Sequence, residues 1–306
     1  MIPIARSTEV ADAQAGRRPV VALESTIVTH GLPWPQNLET ARAVEAEVRA
    51  AGATPATIAV VGGRVHVGLE DAQLETLARA TDVAKLSRAD LAVRMALMAD
   101  GSTTVAATMI CARLAGVQVF ATGGIGGVHR GVEATMDISA DLDELAKTPV
   151  TVVCAGAKAI LDIPRTLEAL ETRGVPVIAY GADAFPAFWS RDSGLKAPLR
   201  LDAPELIARA HRLRGELGLE GGQLVANPIP ADAEIPYDQI APLIEEAVAE
   251  AARRGVAGKA VTPFLLAHVL QATEGRSLTA NVALIRNNAR LAAAIAIALN
   301  AETIGA

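Results

Sequence analysis

The stretch Val150-Thr-Val-Val-Cys-Ala155, followed directly by Gly156-Ala-Lys158, decides the fold of this chain. A continuous apolar run rich in β-branched residues predicts a buried strand, and the glycine after it allows the backbone to turn sharply. A lysine at the tip of such a strand loses hydration, which disfavours its ammonium form and frees the amine to attack a carbonyl carbon. The alternative is a lysine whose stem is buried while its charged head reaches water.

The pattern on either side of this strand indicates an α/β protein. Further strands are predicted at Val20–Glu24, Val117–Ala121 and Val175–Tyr180, with a hairpin formed by Thr57–Val61 and Arg64–Val67 around Gly62-Gly63. Helical patterns separate the strands, and the C-terminal part is predicted helical over 203–217, 238–254, 262–273 and 281–300. This alternation favours a mostly parallel sheet in a single domain over 18–306, preceded by a loose N-terminal arm over 1–17.

Composition excludes several classes of partner. The 306 residues are 51% hydrophobic and carry a net charge of −6 without a lysine–arginine run, so nucleic-acid binding is not expected. Cys111 and Cys154 lie in apolar surroundings without metal-ligand spacing, as reduced thiols of a cytoplasmic protein do. No segment approaches the roughly 18 apolar residues that span a bilayer, and the N-terminus lacks the apolar stretch of a signal peptide, so no membrane partner is expected.

A glycine-rich loop follows the strand at Val117–Ala121. In Phe120-Ala-Thr-Gly-Gly-Ile-Gly-Gly-Val-His-Arg-Gly131, four glycines in five positions leave backbone N–H groups free to converge on an anion. His129 and Arg130 at the edge of the loop suit a phosphate. The spacing is neither that of a Rossmann fingerprint nor that of a Walker loop. A glycine-rich turn selected for tight packing is the alternative.

A carboxylate–hydroxyl–carboxylate pattern comes next along the chain. Asp137, Ser139 and Asp141 would share one face of an extended segment. Such a face can hold ribose hydroxyls and a hard divalent ion, and so few carboxylates favour Mg²⁺ or Mn²⁺ that retains several waters. Alternatively, Ser139 or Asp141 caps a helix that begins near Leu142.

Four other places could carry chemistry. Glu24 ends an apolar strand, a context that raises the pKa of a carboxyl group and makes it a usable proton donor, unless neighbouring hydroxyls satisfy it. Lys85 could contact phosphate or line a solvated face. The stretch Thr103–Thr108 opens a helix and could present N–H groups to a ligand or serve only as a cap. Asn281, entering the last long helix, could read a base edge or cap that helix. The remaining histidines lack metal-ligand spacing and are expected to be structural or surface residues: His30, His66, His211 and His268.

Taken together, these segments resemble the pseudouridine-5′-phosphate glycosidase family, also called indigoidine synthase A-like. The resemblance runs from about residue 18 to about residue 300, in order and without large gaps. The matching blocks are Ala22-Leu-Glu-Ser-Thr26, Pro35-Gln-Asn37, Lys85-Leu-Ser-Arg88, Thr103-Thr-Val-Ala-Ala-Thr108, Ala121–Gly131, Asp137–Leu142, Val153–Lys158, Ala226-Asn-Pro-Ile-Pro230, Gly258-Lys259 and Thr262-Pro-Phe-Leu-Leu266.

The resemblance implies a three-layer α/β/α fold with a mostly parallel mixed central sheet, assembled as a homotrimer. It implies reversible cleavage of pseudouridine 5′-phosphate to uracil and ribose 5-phosphate, in pseudouridine catabolism. By position, Lys158 matches the Schiff-base nucleophile, Glu24 the proton donor and Asp137 the ligand of one Mn²⁺ (or Mg²⁺) per subunit. Resemblance and residue pattern together give these substrate-binding candidates: Lys85, Thr104, Val105, Thr122, His129, Arg130, Ser139, Ala140, Asp141 and Asn281.

This chemistry explains the lysine. The leaving atom of the glycosidic bond is carbon, which has no lone pair to protonate as an ordinary glycosidase would. A route through an opened ribose ring, with the Lys158 amine on C1′ and Glu24 moving protons at O4′ and uracil C5, lets uracil leave in a retro-aldol-like or retro-Mannich-like step. The competing interpretations are an aldolase-like lyase acting on another sugar phosphate, a related indigoidine-pathway accessory acting on phosphorylated intermediates, and a non-catalytic sugar-phosphate sensor. The base-side features at Thr103–Thr108 and Asn281 favour the glycosidase.

Overall fold

The computed structural model of the protein describes residue 2, residues 4–256, residue 258 and residues 261–304. Within these residues one sheet of eleven strands forms the centre of the molecule. The strands are β1 (Ile4–Arg6), β2 (Val20–Glu24), β3 (Thr54–Val61), β4 (Arg64–Val67), β5 (Ala84–Leu86), β6 (Gly101–Thr103), β7 (Val119–Ala121), β8 (Thr151–Cys154), β9 (Val177–Tyr180), β10 (Leu199–Leu201) and β11 (Gln223–Ala226).

Helices connect and cover the strands. They are α1 (Thr8–Ala15), α2 (Gln36–Ala50), α3 (Asp71–Arg79), α4 (Leu91–Ala96), α5 (Val105–Leu114), α6 (Val132–Thr135), α7 (Ala140–Lys147), α8 (Ile163–Thr172), α9 (Pro204–Glu216), α10 (Tyr237–Arg253), α11 (Val261–Ala272) and α12 (Arg276–Ile304). A π-helical turn at Ile27–Gly31 follows β2.

The sheet is mostly parallel, as the sequence predicts. Its order is β1-β4-β3-β2-β7-β8-β11-β9-β10, with β6 beside β3 and β5 beside β6. The antiparallel pairs are the predicted β3–β4 hairpin and the β3–β6 pair. Strand β2 has the predicted bounds, and β7, β8 and β9 lie inside theirs. The predictions missed β1, β5, β6, β10 and β11, and β11 is an interior strand between β8 and β9.

Helices cover both faces, which confirms the three-layer arrangement. Parallel crossovers are right-handed, so α2, which leads from β2 to β3, and α7, which leads from β7 to β8 in the opposite direction, lie on opposite faces. Helix α12 packs against α2, α9 and strands β2, β7 and β8, whereas α5 packs against α7 and β2. The sheet is therefore enclosed, and β8 and β11 are buried along their whole length.

The last helix differs from its prediction in length and character. Residues 276–301 are long and apolar enough to cross a membrane by length and composition, contrary to the expectation that no segment is. Helix α12 also begins before Asn281, so that residue is not its cap. Its packing against two helices and three strands is that of a core helix, which must be apolar on several sides.

The N-terminal arm is not loose, contrary to the prediction for residues 1–17. Strand β1 pairs in parallel with β4, and Ser7 caps α1 by accepting a hydrogen bond from the backbone N–H of Val10 at 3.3 Å. The side chains of Val10 and Ala13 are fully buried. The arm therefore covers the edge that β4 would otherwise expose and buries its own apolar face.

Candidate active site

The candidate site lies where neighbouring parallel strands end. Strand β2 ends at Glu24, β7 runs into the glycine loop, and β8 is followed by Lys158. Since β2, β7 and β8 are adjacent and parallel, their carboxyl ends meet at one edge of the sheet. In open α/β sheets this edge is where ligands bind.

Two chambers adjoin at this edge. The first, here called the apolar chamber, has Phe188, Pro263, Leu266, Leu284 and Ile285 in its wall, together with Asn281 and His30. The second, the polar chamber, has a cavity volume of about 260 Å³ and is lined by Ser87, Thr104, Val105, Gly126, His129, Asp137, Ser139, Asp141, Leu161 and Gly258. The residues common to both walls are Glu24, Thr26, Lys85, Lys158 and Thr262. The two predicted catalytic residues therefore lie at the junction.

Glu24 is partly buried at the junction and accepts a hydrogen bond from the hydroxyl of Thr122. Burial raises the pKa of its carboxyl group, and the charges of Lys158 and Lys85 and the Thr122 hydrogen bond oppose this rise. The burial contribution is the largest, so the carboxyl group is protonated to a higher pH than an exposed glutamate. This is the property expected of a proton donor.

Lys158 is half-buried, so the predicted shielding from water is only partial. Its backbone N–H donates to the carbonyl oxygen of Ile125 at 3.1 Å, which fixes the segment against the glycine loop. The predicted sharp turn is present: Gly156 has φ +92°, and a Cβ there would lie 2.5 Å from the carbonyl oxygen of Pro186. The lysine thus projects from a rigid turn into the junction of the chambers.

Asp141 ties two walls of the polar chamber together. Its Oδ1 accepts a hydrogen bond from the backbone N–H of Ala106 in the first turn of α5 at 3.0 Å, and its Oδ2 accepts one from Gly126 in the glycine loop at 2.8 Å. Asp141 is 6% exposed. Ser139 caps α7, because its hydroxyl oxygen accepts from the N–H of Asp141 at 3.2 Å. The capping interpretation of Ser139 is therefore confirmed, and its side chain also lines the chamber.

The first turn of α5 faces the polar chamber, so the predicted ligand-facing position is found, but the predicted base-side position of Thr103–Thr108 is not, because Thr104 and Val105 are absent from the wall of the apolar chamber. Thr104 stands before the helix as its N-cap residue, and Val105 begins it. The hydroxyl oxygen of Thr104 is buried without a hydrogen-bond partner among the described residues. A helix N-terminus with an unsatisfied hydroxyl beside it suits an anionic ligand.

Asp137 is the residue available to a metal ion. Its side chain is 39% exposed, and its Oδ2 lies 3.9 Å from Nδ1 of His129. Burial lowers the pKa of His129, and the positive charges of Lys158 and Lys85 lower it further against the effect of Asp137. In the part of the chain that the structure describes, no group of three or more His, Cys, Asp or Glu side chains could hold a metal. A single carboxylate fits only a hard ion that keeps most of its waters, such as Mn²⁺ or Mg²⁺.

Some predicted site residues are not brought to these chambers. Arg130 is exposed and lines a different cavity, beside Asp162 and Tyr237, so its predicted contact with the phosphate is not supported. Ala140 begins α7 outside the described chamber walls. Thr122 is buried and acts through its hydrogen bond to Glu24. His129 and Arg130 are consecutive in the chain, but their side chains line different cavities.

The structure also adds residues to which no role is assigned by the sequence analysis. Thr26 and Thr262 stand at the junction, Ser87 in the polar chamber, and Phe188 and His30 in the apolar chamber. His30 is therefore not merely a surface residue. Thr26, Ser87 and Thr262 belong to blocks that resemble the family, which was the signal available for them.

The fold and the site define an α/β protein with a two-chambered cavity in which a lysine amine and a protonatable carboxyl group share the junction. Residues 9–298 match the family described as indigoidine synthase A like protein, and the chain belongs to that family. It is 68% identical to a pseudouridine-5′-phosphate glycosidase of Jannaschia sp. (strain CCS1) over 298 residues, which cover 97% of this chain and 99% of the relative. It is 65% identical to the protein of that name from Roseobacter denitrificans over 301 residues, covering 98% and 97%.

Two solved structures share the fold over nearly the full chain. The prealnumycin C-glycosynthase AlnA, in complex with ribulose 5-phosphate, superimposes with a TM-score of 0.92 at 40% identity and 99% coverage of both chains. An indigoidine synthase A-like protein from Thermotoga maritima has a TM-score of 0.89 at 35% identity, covering 98% of this chain and 97% of that one. These matches confirm the resemblance and the fold class.

Proposed function

We propose that this protein is an enzyme that reversibly cleaves the C–C glycosidic bond of pseudouridine 5′-phosphate to uracil and ribose 5-phosphate. It would serve pseudouridine catabolism in the cytoplasm. The names of its relatives support this substrate. The observation that carries the proposal is the position of Lys158 and Glu24 at the junction of an apolar and a polar chamber. A bond between a planar base and a phosphorylated sugar would lie across that junction. An aldolase-like lyase acting on a sugar phosphate would have no need of the apolar chamber.

The polar chamber suits the phosphorylated sugar. Lys85, Ser87 and Thr104 lie in its wall, and the N-terminus of α5 faces it. Positive charge, hydroxyl donors and a helix N-terminus are the groups that bind phosphate. The phosphate does not react, and its binding energy instead holds C1′ in place for attack. Unphosphorylated pseudouridine should therefore lose turnover as well as affinity.

The two junction residues can complete the reaction without an oxidant or reductant. Protonated Glu24 gives its proton to O4′ as the C1′–O4′ bond breaks, and the lone pair of the Lys158 amine forms a bond to C1′. The proton lost by that nitrogen returns to Glu24, which then delivers it to uracil C5 as the C1′–C5 bond breaks and the nitrogen lone pair forms the C1′=N bond. Water hydrolyses this Schiff base, which frees Lys158, releases ribose 5-phosphate and restores the proton to Glu24.

A divalent ion, Mn²⁺ or Mg²⁺, is proposed at Asp137, one per subunit. The exposed carboxylate and the small number of acidic neighbours support an ion that keeps several waters. Such an ion would supply positive charge next to the sugar phosphate. Asp137→Asn should weaken Mn²⁺ binding measured by calorimetry in the absence of substrate.

A homotrimer is proposed as the assembly. Val93, Leu97 and Met98 of the α4 region are 62%, 65% and 66% exposed, and clustered apolar side chains of this kind are typical of subunit contacts. Sedimentation equilibrium measures the mass directly, and a monomer or dimer at micromolar concentration would contradict the proposal.

The experiment that tests the function follows uracil release and the fate of the lysine together. Purified protein with Mn²⁺ and pseudouridine 5′-phosphate should show the ultraviolet change to free uracil, and borohydride should trap ribose 5-phosphate on Lys158. Lys158→Ala should abolish release while nucleotide binding persists, whereas Lys196→Ala, at an exposed position, should behave as the wild type. Equal turnover of the unphosphorylated nucleoside, or an adduct on another lysine, would refute the assignment.

A further inference from the structure

The apolar chamber contains one amide side chain whose orientation is set from behind. The Nε1 of Trp189 lies 2.7 Å from Oδ1 of Asn281, which projects from α12 into the chamber wall. An indole N–H only donates hydrogen bonds, so it must face the amide oxygen. The NH₂ group of Asn281 is thereby turned away from Trp189, and it has no hydrogen-bond partner among the described residues.

Trp189 is held firmly enough to impose this orientation. Its side chain is 1% exposed, and its ring meets the ring of Phe188 edge to face at a centroid distance of 5.1 Å. Its carbonyl oxygen accepts a hydrogen bond from the N–H of Ile235 at 2.9 Å. The next residue, Ser190, donates its hydroxyl to the carbonyl oxygen of Ile235 at 2.7 Å. The indole therefore cannot follow the amide if the amide rotates.

The turn that contains Trp189 also fixes Phe188 in the wall of the apolar chamber. Phe188 has φ +62°, a left-handed conformation that a bulky residue adopts only where its surroundings impose it. Its N–H donates to the carbonyl oxygen of Ala155 at 3.0 Å. Its ring lies against Gly124, where a Cβ would approach ring carbons to 2.7 Å. One turn thus places Phe188 in the chamber wall and Trp189 behind the amide.

We propose that Trp189 is a specificity-determining positioning residue: by holding the amide oxygen of Asn281, it turns the NH₂ group of Asn281 toward the base. This inference rests on the proposed function, since it concerns the base of the C-nucleotide. A base with a carbonyl oxygen at that edge completes a hydrogen bond, as uracil can. A base with an amino group there sets donor against donor and leaves both unpaired. The pair of residues therefore selects a carbonyl-bearing pyrimidine against an amino-bearing one.

The test compares three C-nucleotide 5′-phosphates: the uracil compound and the two analogues in which one carbonyl is replaced by an amino group. The measured quantity is the ratio of kcat/KM for the uracil compound to that for each analogue. In Trp189→Phe the amide is free to turn its oxygen toward an amino group, and for one analogue the ratio should fall about tenfold or more. Differences in intrinsic reactivity of the bases cancel, because only the change between wild type and variant is used.

Two further variants make the result specific. Asn281→Asp presents an oxygen to the base in either orientation, so it should lower the same ratio beyond the effect of Trp189→Phe. Trp34→Phe removes an indole that is 42% exposed, contacts the guanidinium of Arg79 and is in neither chamber wall, and it should leave both ratios unchanged. Melting temperatures establish that each variant is folded.

The outcomes separate this inference from the proposed function. Absence of uracil release by the wild type refutes the function. Release with ratios that Trp189→Phe and Asn281→Asp both leave unchanged refutes the role of Trp189. Equilibrium binding of the three nucleotides, measured in Lys158→Ala with and without Trp189→Phe, gives the corresponding ratios of dissociation constants without turnover. Equal ratios in those two proteins would overturn the inference by themselves.

Discussion

Replacement of Gly126 by alanine tests how closely the glycine loop is fitted to the polar chamber. Gly126 does not have a positive φ, so its backbone conformation tolerates alanine. The difficulty is space: an added Cβ would lie 2.2 Å from Oγ of Ser139 and 2.8 Å from Oδ2 of Asp141. Both distances are far below ordinary contact, so these two groups would have to move.

The cost follows from what holds those groups in place. Ser139 caps α7, and loss of such a cap costs about 1 kcal/mol. Asp141 accepts hydrogen bonds from Ala106 and Gly126, and weakening one such bond to a charged group costs about 1.5–3 kcal/mol. We therefore expect Gly126→Ala to lower the free energy of unfolding by about 2.5–4 kcal/mol, which overlaps the range of about 1–3 kcal/mol for overpacked sites. Since the chamber wall shifts as well, kcat/KM should fall about 100-fold.

Urea denaturation and the uracil-release assay measure the two effects. Gly215→Ala is the matched control, because a Cβ at that helical position meets nothing within 4 Å. It should raise the free energy of unfolding by about 0.5–1 kcal/mol and leave activity intact. If Gly126→Ala unfolded within about 0.5 kcal/mol of the wild type, the range of an ordinary surface substitution, and kept full activity, the reasoning from the 2.2 Å contact would be wrong.

Three other expectations follow. The folded-state pKa of Glu24 lies above its ordinary value of 4.5, so its ionisation removes stability as pH rises from 4.5 through the folded pKa. Glu24→Gln should accordingly unfold at a higher temperature than the wild type at pH 8, with the gap closing toward pH 4.5; a gap independent of pH would contradict this. Burial raises the pKa of Cys111 and Cys154 to about 12, so iodoacetamide at pH 8 should label neither until urea unfolds the protein, as mass spectrometry would detect. Arg130→Ala should change the KM for pseudouridine 5′-phosphate less than threefold, whereas His129→Ala should raise it about tenfold or more; the reverse order would restore Arg130 to the phosphate site.

The local signals that could be read from the chain explain which strands were predicted. Strand β2 is an apolar β-type run that ends at Glu24, and the β3–β4 hairpin consists of two such runs that turn at Gly62-Gly63. Both were predicted, and both are present. Strand β11 was missed because its apolar run, Leu224–Ala226, is only three residues long and lies between the polar residues Gln223 and Asn227. That glutamine is buried, and its Nε2 donates to the carbonyl oxygen of Ile207 in α9 at 2.9 Å, a partner that only the tertiary structure supplies. Two other residues show that local sequence does not determine side-chain surroundings. Arg130 lines a different cavity from the loop that suggested its role. Phe188 has a positive φ that no local signal predicts.

The alternation of strand and helix patterns along the chain determined the α/β class and the parallel sheet, and it placed Glu24 and Lys158 at strand ends. These follow from periodicity and from residue chemistry, which are local properties. The division of the cavity into two chambers, the hydrogen bond from Thr122 to Glu24 and the fixed amide of Asn281 arise only when distant segments meet. Burial and hydrogen-bond direction depend on neighbours that lie far away in the sequence, and these neighbours are assigned by the tertiary structure.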